Sequence, residues 1–207
     1  MQIAVLQFPG SNCDQDCLYV GEKLLKATTY PVWHKETSLS NPDLVIIPGG
    51  FSYGDYLRCG AIASTAPIMQ AVRAYATSGG LILGICNGFQ ILCEARLLPG
   101  ALIKNRSLQF RCHPTYLQIE NTDNPFLCLA KKKQIISLPI AHSEGCYIDT
   151  ERSLHKSIAN NQVALRYCSS NGELDPSTNP NGSLDSIAGI LNPSRNILGL
   201  MPHPERA

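Results

Sequence analysis

The sequence predicts an α/β protein: a doubly wound, mostly parallel sheet with helices on both faces and antiparallel additions. Three observations predict it. Short, wholly apolar runs recur through the first half, which is how strands buried on both faces of a parallel sheet read. Segments with helical spacing separate them, as crossover connections require. After Pro99-Gly100 the texture changes to brief, partly alternating runs among turns, which suits antiparallel strands added to that core.

Each element has its own signal. Ile3 to Phe8 is a first strand ended by Pro9-Gly10. Ser11 and Asn12 are candidate caps for a helix with Cys17, Val20, Leu24 and Leu25 on one face. Val32-Trp33 is a short second strand, and Leu44 to Ile47 is a third, broken by Pro48-Gly49-Gly50. Thr65 is a candidate cap for a helix with Pro67 in its first turn and Ile68, Val72 and Tyr75 inward. Leu81 to Ile85 is the fourth apolar strand. Beyond Pro99-Gly100 the strand candidates are Thr115 to Glu120, Ile135-Ile136, Val163 to Cys168, Ile187 to Leu191 and Ile197 to Met201. Ser169 to Ser186, with its Asn-Pro and Asn-Gly pairs, reads as an exposed loop. No repeat or linker divides the chain, so one domain over residues 1–207 is expected.

Composition narrows the function classes. With 17 basic and 16 acidic residues among 207, there is no footprint for nucleic acid or an anionic membrane. Lys131-Lys132-Lys133 is an isolated run that a solvated turn explains. No stretch approaches the roughly 20 apolar residues that span a bilayer. Met1 leads directly into a strand-like run without a basic head, so no secretory signal is expected. The nine cysteines then read as reduced thiols of a cytoplasmic protein, with no spacing that suggests disulfides or a structural metal.

The stretch with most chemistry is Gly84-Ile85-Cys86-Asn87-Gly88-Phe89-Gln90. Strand becomes helix at Cys86, and glycines stand two residues to either side. This is the plan of a nucleophile elbow, in which a strained turn lifts the nucleophile to the carboxyl end of a strand. The following helix start favours thiolate and can hold an oxyanion. A thiol nucleophile needs a base, and the base an orienting group. Of five histidines, His203 is the best placed, in Met201-Pro202-His203-Pro204-Glu205. If that segment is extended, His203 and Glu205 project to the same side.

Gly84-x-Cys86-x-Gly88-x-Gln90 resembles the nucleophile motif of class I glutamine amidotransferases, and His203-Pro204-Glu205 resembles the rest of their triad. The resemblance implies Cys86 as nucleophile, His203 as base and then acid, and Glu205 as the orienting group. It also implies an oxyanion hole from backbone N–H groups near Gly50 and of Asn87. Phe51, Ser52 and Gln90 are candidates for binding substrate by their position beside the elbow.

Further segments narrow the family: Phe8-Pro9-Gly10-Ser11-Asn12-Cys13-Asp14, Phe51 to Ala63, Pro139-Ile140-Ala141-His142-Ser143-Glu144-Gly145 and Asn181-Gly182-Ser183. With the triad segments they resemble the glutaminase subunits of phosphoribosylformylglycinamidine synthase from Ile3 to Arg206. One departure is Ser143, where that family usually shows glycine. The resemblance implies a subunit that makes ammonia from L-glutamine, a separate synthetase subunit that uses ATP and Mg, and a small bridging subunit. No phosphate loop of the G-x-x-x-x-G-K-[ST] type occurs, so no cofactor is expected in this chain. The alternatives are a different class I amidotransferase, a γ-glutamyl hydrolase, or a flavodoxin-like binding module sharing only the sheet.

Overall fold

A computed structural model describes residues 1–207, which fall into two compact units, Met1–Leu97 and Leu98–Ala207. The first unit contains strands β1 (Gln2–Gln7), β2 (Thr28–Trp33), β3 (Leu44–Ile47) and β4 (Leu81–Ile85), and helices α1 (Asp14–Tyr19), α2 (Ile68–Thr77) and α3 (Asn87–Glu94). Its strands pair in parallel in the order β2-β1-β3-β4. Ile3, Ala4, Val5 and Leu6 are completely buried, which is why β1 carries no polar face.

Two helices differ from the sequence expectation. Ser11 and Asn12 do not cap α1, which starts after Cys13 without a side-chain cap. The helix then widens into a π-helical turn over Val20–Leu24. That wider turn rotates the register. Cys17 and Gly21 therefore face inward while Leu24 and Leu25 stand 65% and 58% exposed. Likewise Thr65 belongs to a separate 3₁₀ turn, its Oγ1 donating to the Ile62 carbonyl, and Pro67 occupies the N-cap of α2. Ile68 and Val72 face inward as expected. Met69 replaces Tyr75 in the core, and the Tyr75 hydroxyl donates to the Pro42 carbonyl.

The second unit contains β5 (Ala101–Ile103), β6 (Arg111–Ile119), β7 (Ile135–His142), β8 (Cys146–Ile148), α4 (Glu151–Ala159), β9 (Val163–Cys168), β10 (Ile187–Leu191) and β11 (Ile197–Leu200). Five strands pair antiparallel in the order β11-β10-β9-β6-β7, and β5 pairs with β8 separately. The antiparallel additions are larger than the sequence suggests. In β6 and β7 the prolines Pro114 and Pro139 sit opposite each other. Neither can donate to the ladder, but both fall where their strand has a neighbour on one side only, so the strands run on through them. The segment from Ser169 to Ser186 is not wholly exposed: Asn181 and Ser183 are buried and hydrogen-bonded. No helix is long and apolar enough to cross a membrane.

Candidate active site

Cys86 stands between β4 and α3 with φ 50° and ψ −105°, a conformation that L residues avoid, and it is buried. Its carbonyl accepts from the Phe89 and Gln90 amides, which closes the first turn of α3. The flanking glycines let α3 press onto the sheet. A Cβ on Gly88 would lie 1.9 Å from the Ile47 carbonyl oxygen, and one on Gly84 would lie 2.4 Å from Leu92 Cδ1 and 2.8 Å from the Gly88 carbonyl oxygen. The elbow inferred from the sequence is present.

Beside it lies the turn after β3. Gly50 has φ +117°, and a Cβ there would sit 2.6 Å from the Asn12 amide nitrogen. Ser11 bridges to Gly50, and the Phe51 amide donates to the Gly10 carbonyl. The Ser52 amide donates to Asn87 Oδ1 at 3.2 Å, so both amides of the Phe51–Ser52 pair are engaged within the protein. Asn87 Nδ2 in turn donates to Gln90 Oε1 at 2.8 Å and to Asp55 Oδ1 at 3.3 Å. Gln90 and Ser52 are both buried, and the Ser52 hydroxyl has no partner. Asn87 thus ties the turn, the following loop and the elbow helix together through its side chain, a role that its place in the motif does not reveal.

In the second unit the His203 ring is buried. Its Nδ1 lies 2.7 Å from Glu205 Oε1. A carboxylate accepts, so Nδ1 carries the proton and Nε2 presents a lone pair. Nε2 is buried without a partner in the structure. The pair does not form along an extended segment, as the sequence suggested. β11 ends at Leu200, and Pro204–Arg206 is a 3₁₀ turn that folds Glu205 back onto the ring. The His203 amide donates to the Pro139 carbonyl on β7, which anchors the turn.

On the same strand, His142 is buried against a network centred on Asn105, a residue that no motif marks as part of the site. Asn105 Nδ2 donates to the carbonyls of Gln109 and His142, and its Oδ1 accepts from the Gly145 amide. These partners fix the amide orientation, so His142 Nδ1, 3.1 Å from Oδ1, must be the donor. Its Nε2 is left as an unpartnered lone pair. Burial first, and then repulsion from His203 whenever that ring is protonated, lowers the His142 pKa to about 4. Ser143, where glycine was expected from the resemblance, is absent from the left-handed region and fits as serine. The Ser183 hydroxyl donates to Asn181 Oδ1 at 2.7 Å and accepts from the Tyr147 amide, with the Gly145 carbonyl 3.2 Å away, which joins two of the segments that carried the resemblance. None of the nine cysteines is joined in a disulfide.

The CobB/CobQ-like glutamine amidotransferase domain matches residues 1–207. PurQ subunits of phosphoribosylformylglycinamidine synthase from Acaryochloris marina and Gloeobacter violaceus are 55% and 56% identical over 207 residues. Those matches cover 100% of this chain and 88% and 89% of the relatives. A chain in the solved structure of PurLQS from Thermotoga maritima is 42% identical with a TM-score of 0.87, covering 100% of this chain and 88% of that one. The glutaminase domain of Trypanosoma brucei CTPS, solved with bound acivicin, is 13% identical with a TM-score of 0.59 over 99% of this chain and 86% of that one. It shares the fold alone. The mixed sheet with its helices is the class I glutamine amidotransferase fold.

Proposed function

The chain belongs to the CobB/CobQ-like glutamine amidotransferases and, within them, to the PurQ subunits of phosphoribosylformylglycinamidine synthase, and on that premise we propose how its residues act. It is the glutaminase subunit. It hydrolyses L-glutamine to glutamate and ammonia and supplies the ammonia to a synthetase subunit, with a small bridging subunit as third partner. The synthetase uses that ammonia to convert formylglycinamide ribonucleotide to formylglycinamidine ribonucleotide in purine biosynthesis.

The nucleophile is Cys86. Its sulfur attacks the carboxamide carbon of glutamine, and the negative charge that develops on the oxygen is met by backbone N–H groups near Gly50 and of Asn87. His203 takes the thiol proton through Nε2 and returns it to the leaving nitrogen, so ammonia departs and a thioester remains. Water then attacks the thioester, His203 accepts a proton from it, and glutamate leaves as the thiol is restored. Glu205 holds the imidazole in the tautomer this needs. Phe51, Ser52 and Gln90 border the substrate position. The observation that carries this reading is the left-handed backbone of Cys86 at a strand–helix junction braced by Gly84 and Gly88.

The family match over residues 1–207 supports treating the two units as one amidotransferase domain. ATP and Mg belong to the synthetase in this reading, and the subunit works in the cytoplasm. The test is amidation by the reconstituted complex with either nitrogen source. Cys86→Ala should abolish glutamine-driven product and leave ammonium-driven product near wild type. A Cys86→Ala complex that assembles but loses both activities would remove the assignment.

A further inference from the structure

The loop that follows the oxyanion turn is held in an unfavourable shape. Tyr53, Asp55 and Leu57 all have left-handed backbones, with φ of 53°, 55° and 69°. Gly54 between the first two adopts the same region freely, but each of these three residues carries a side chain and is less stable there than in an ordinary turn conformation. The loop buries little apolar surface in compensation, since Tyr56 and Leu57 are 75% and 89% exposed. Polar pins must therefore hold it. Arg58 is bidentate to Glu94, but its side chain is largely in solvent, where such pairs contribute little. Asp55 accepts from Asn87 across a long 3.3 Å.

Tyr53 is a pin better shielded from solvent than Arg58. Its hydroxyl lies 2.6 Å from His34 Nδ1, and its amide donates to the Pro9 carbonyl at 2.6 Å. His34 is a fixed anchor because its backbone is held on both sides. Its amide donates to the Gln7 carbonyl at the end of β1, and its carbonyl accepts from Ile68 at the start of α2. Its ring packs edge-on against Trp33 at 4.5 Å and against Tyr53 at 5.4 Å. Burial lowers the His34 pKa and raises that of Tyr53, so the contact joins a neutral phenol to a neutral imidazole.

We propose that His34 and Tyr53 form a latch that holds the adjoining Ser52 segment against Asn87, making both of them positioning residues for oxyanion stabilisation at Cys86. This rests on the glutaminase reading above. Neither residue need touch glutamine. Tyr53 follows directly on Ser52, whose amide is bonded to Asn87 Oδ1, and Asn87 is the neighbour of the nucleophile. A hydroxyl removed from Tyr53 frees the loop to relax out of its left-handed run, and the turn before it loses its fixed orientation.

The experiment measures glutamine hydrolysis by the reconstituted complex carrying Tyr53→Phe, His34→Leu or His34→Asn, with Cys86→Ala in parallel. Tyr53→Phe and His34→Leu should lower kcat about tenfold with KM within about twofold, a fraction of what a lost oxyanion donor costs. His34→Asn places an amide where Nδ1 stood and should recover most of that loss. Melting temperatures separate positioning from folding, and Tyr53→Phe deletes only one oxygen. Wild-type kcat in Tyr53→Phe, with Cys86→Ala inactive, would overturn the latch alone. Equal losses in His34→Asn and His34→Leu that track their melting temperatures would also overturn it. Full glutamine hydrolysis by Cys86→Ala would instead remove the glutaminase reading on which the latch rests.

Discussion

His142 should make the chain acid-sensitive, and the size of the effect can be worked from its surroundings. Folded, its pKa is about 4, lowered by burial and then by repulsion from His203 when that ring is protonated. In the unfolded chain the imidazole titrates near its ordinary value of about 6.5. Between these values the unfolded state binds a proton that the folded state refuses, so stability falls as pH drops through that window and is complete above it. At 1.36 kcal/mol per pH unit the whole effect is about 3 kcal/mol, of which about 2 kcal/mol is lost by pH 5. The structural cause is plain: Nδ1 already donates to Asn105, and a second proton on Nε2 would find no acceptor. His142→Asn keeps a donor toward Asn105 Oδ1 and cannot titrate. Urea unfolding of both proteins, followed by circular dichroism at pH 7, 6 and 5, isolates the term from other titrating groups. Whatever cavity cost the variant carries, the wild-type advantage should shrink by about 2 kcal/mol between pH 7 and pH 5. A difference constant to within about 0.5 kcal/mol would refute the reasoning.

Two further outcomes follow from packing. In Gly88→Ala the gain in helix propensity, about 1 kcal/mol, is outweighed by a Cβ placed 1.9 Å from the Ile47 carbonyl oxygen. Calorimetry should show a melting temperature lower by about 6–12 °C, as about 3 kcal/mol implies for a chain of this size; an unchanged value would mean that α3 can lift off the sheet freely. Thr150 caps α4 by accepting from the Ser153 amide, so Thr150→Ala should cost about 1 kcal/mol and Thr150→Ser little, as urea midpoints would report.

The parallel half was legible because its strands are buried on both faces and written as unbroken apolar runs, as in Leu44 to Ile47 and Leu81 to Ile85. The elbow was legible for a related reason: close approach admits only glycine at positions 84 and 88, and glycine is visible in a sequence. Where one face meets solvent the signal faded. α4 buries only Ser157 and passed unnoticed, and Thr28 to Tyr30 of the edge strand β2 were missed. Pro139 hid the length of β7 because a proline argues against a strand until one knows that the strand lies at an edge. The π-helical turn is a hydrogen-bonding choice made against the sheet, and the sequence has no periodicity that announces it. Asn105, His34 and Asp55 were silent for another reason. The partners that tie them into the site, His142, Tyr53 and Asn87, lie 37, 19 and 32 residues away, so no local motif could record those contacts.

The backbone at Cys86 has a bearing on how such a chain can change over time. At φ 50° and ψ −105° glycine is the residue that folding alone would choose, since it meets no side-chain clash there. Replacement of the cysteine by glycine would relieve that backbone strain. A population selected only for a well-folded product would therefore drift away from cysteine at this one place. The thiol can be inherited only where its chemistry is itself under selection, so among descendants of this sequence its loss would report abandonment of the reaction well before any decay of the fold.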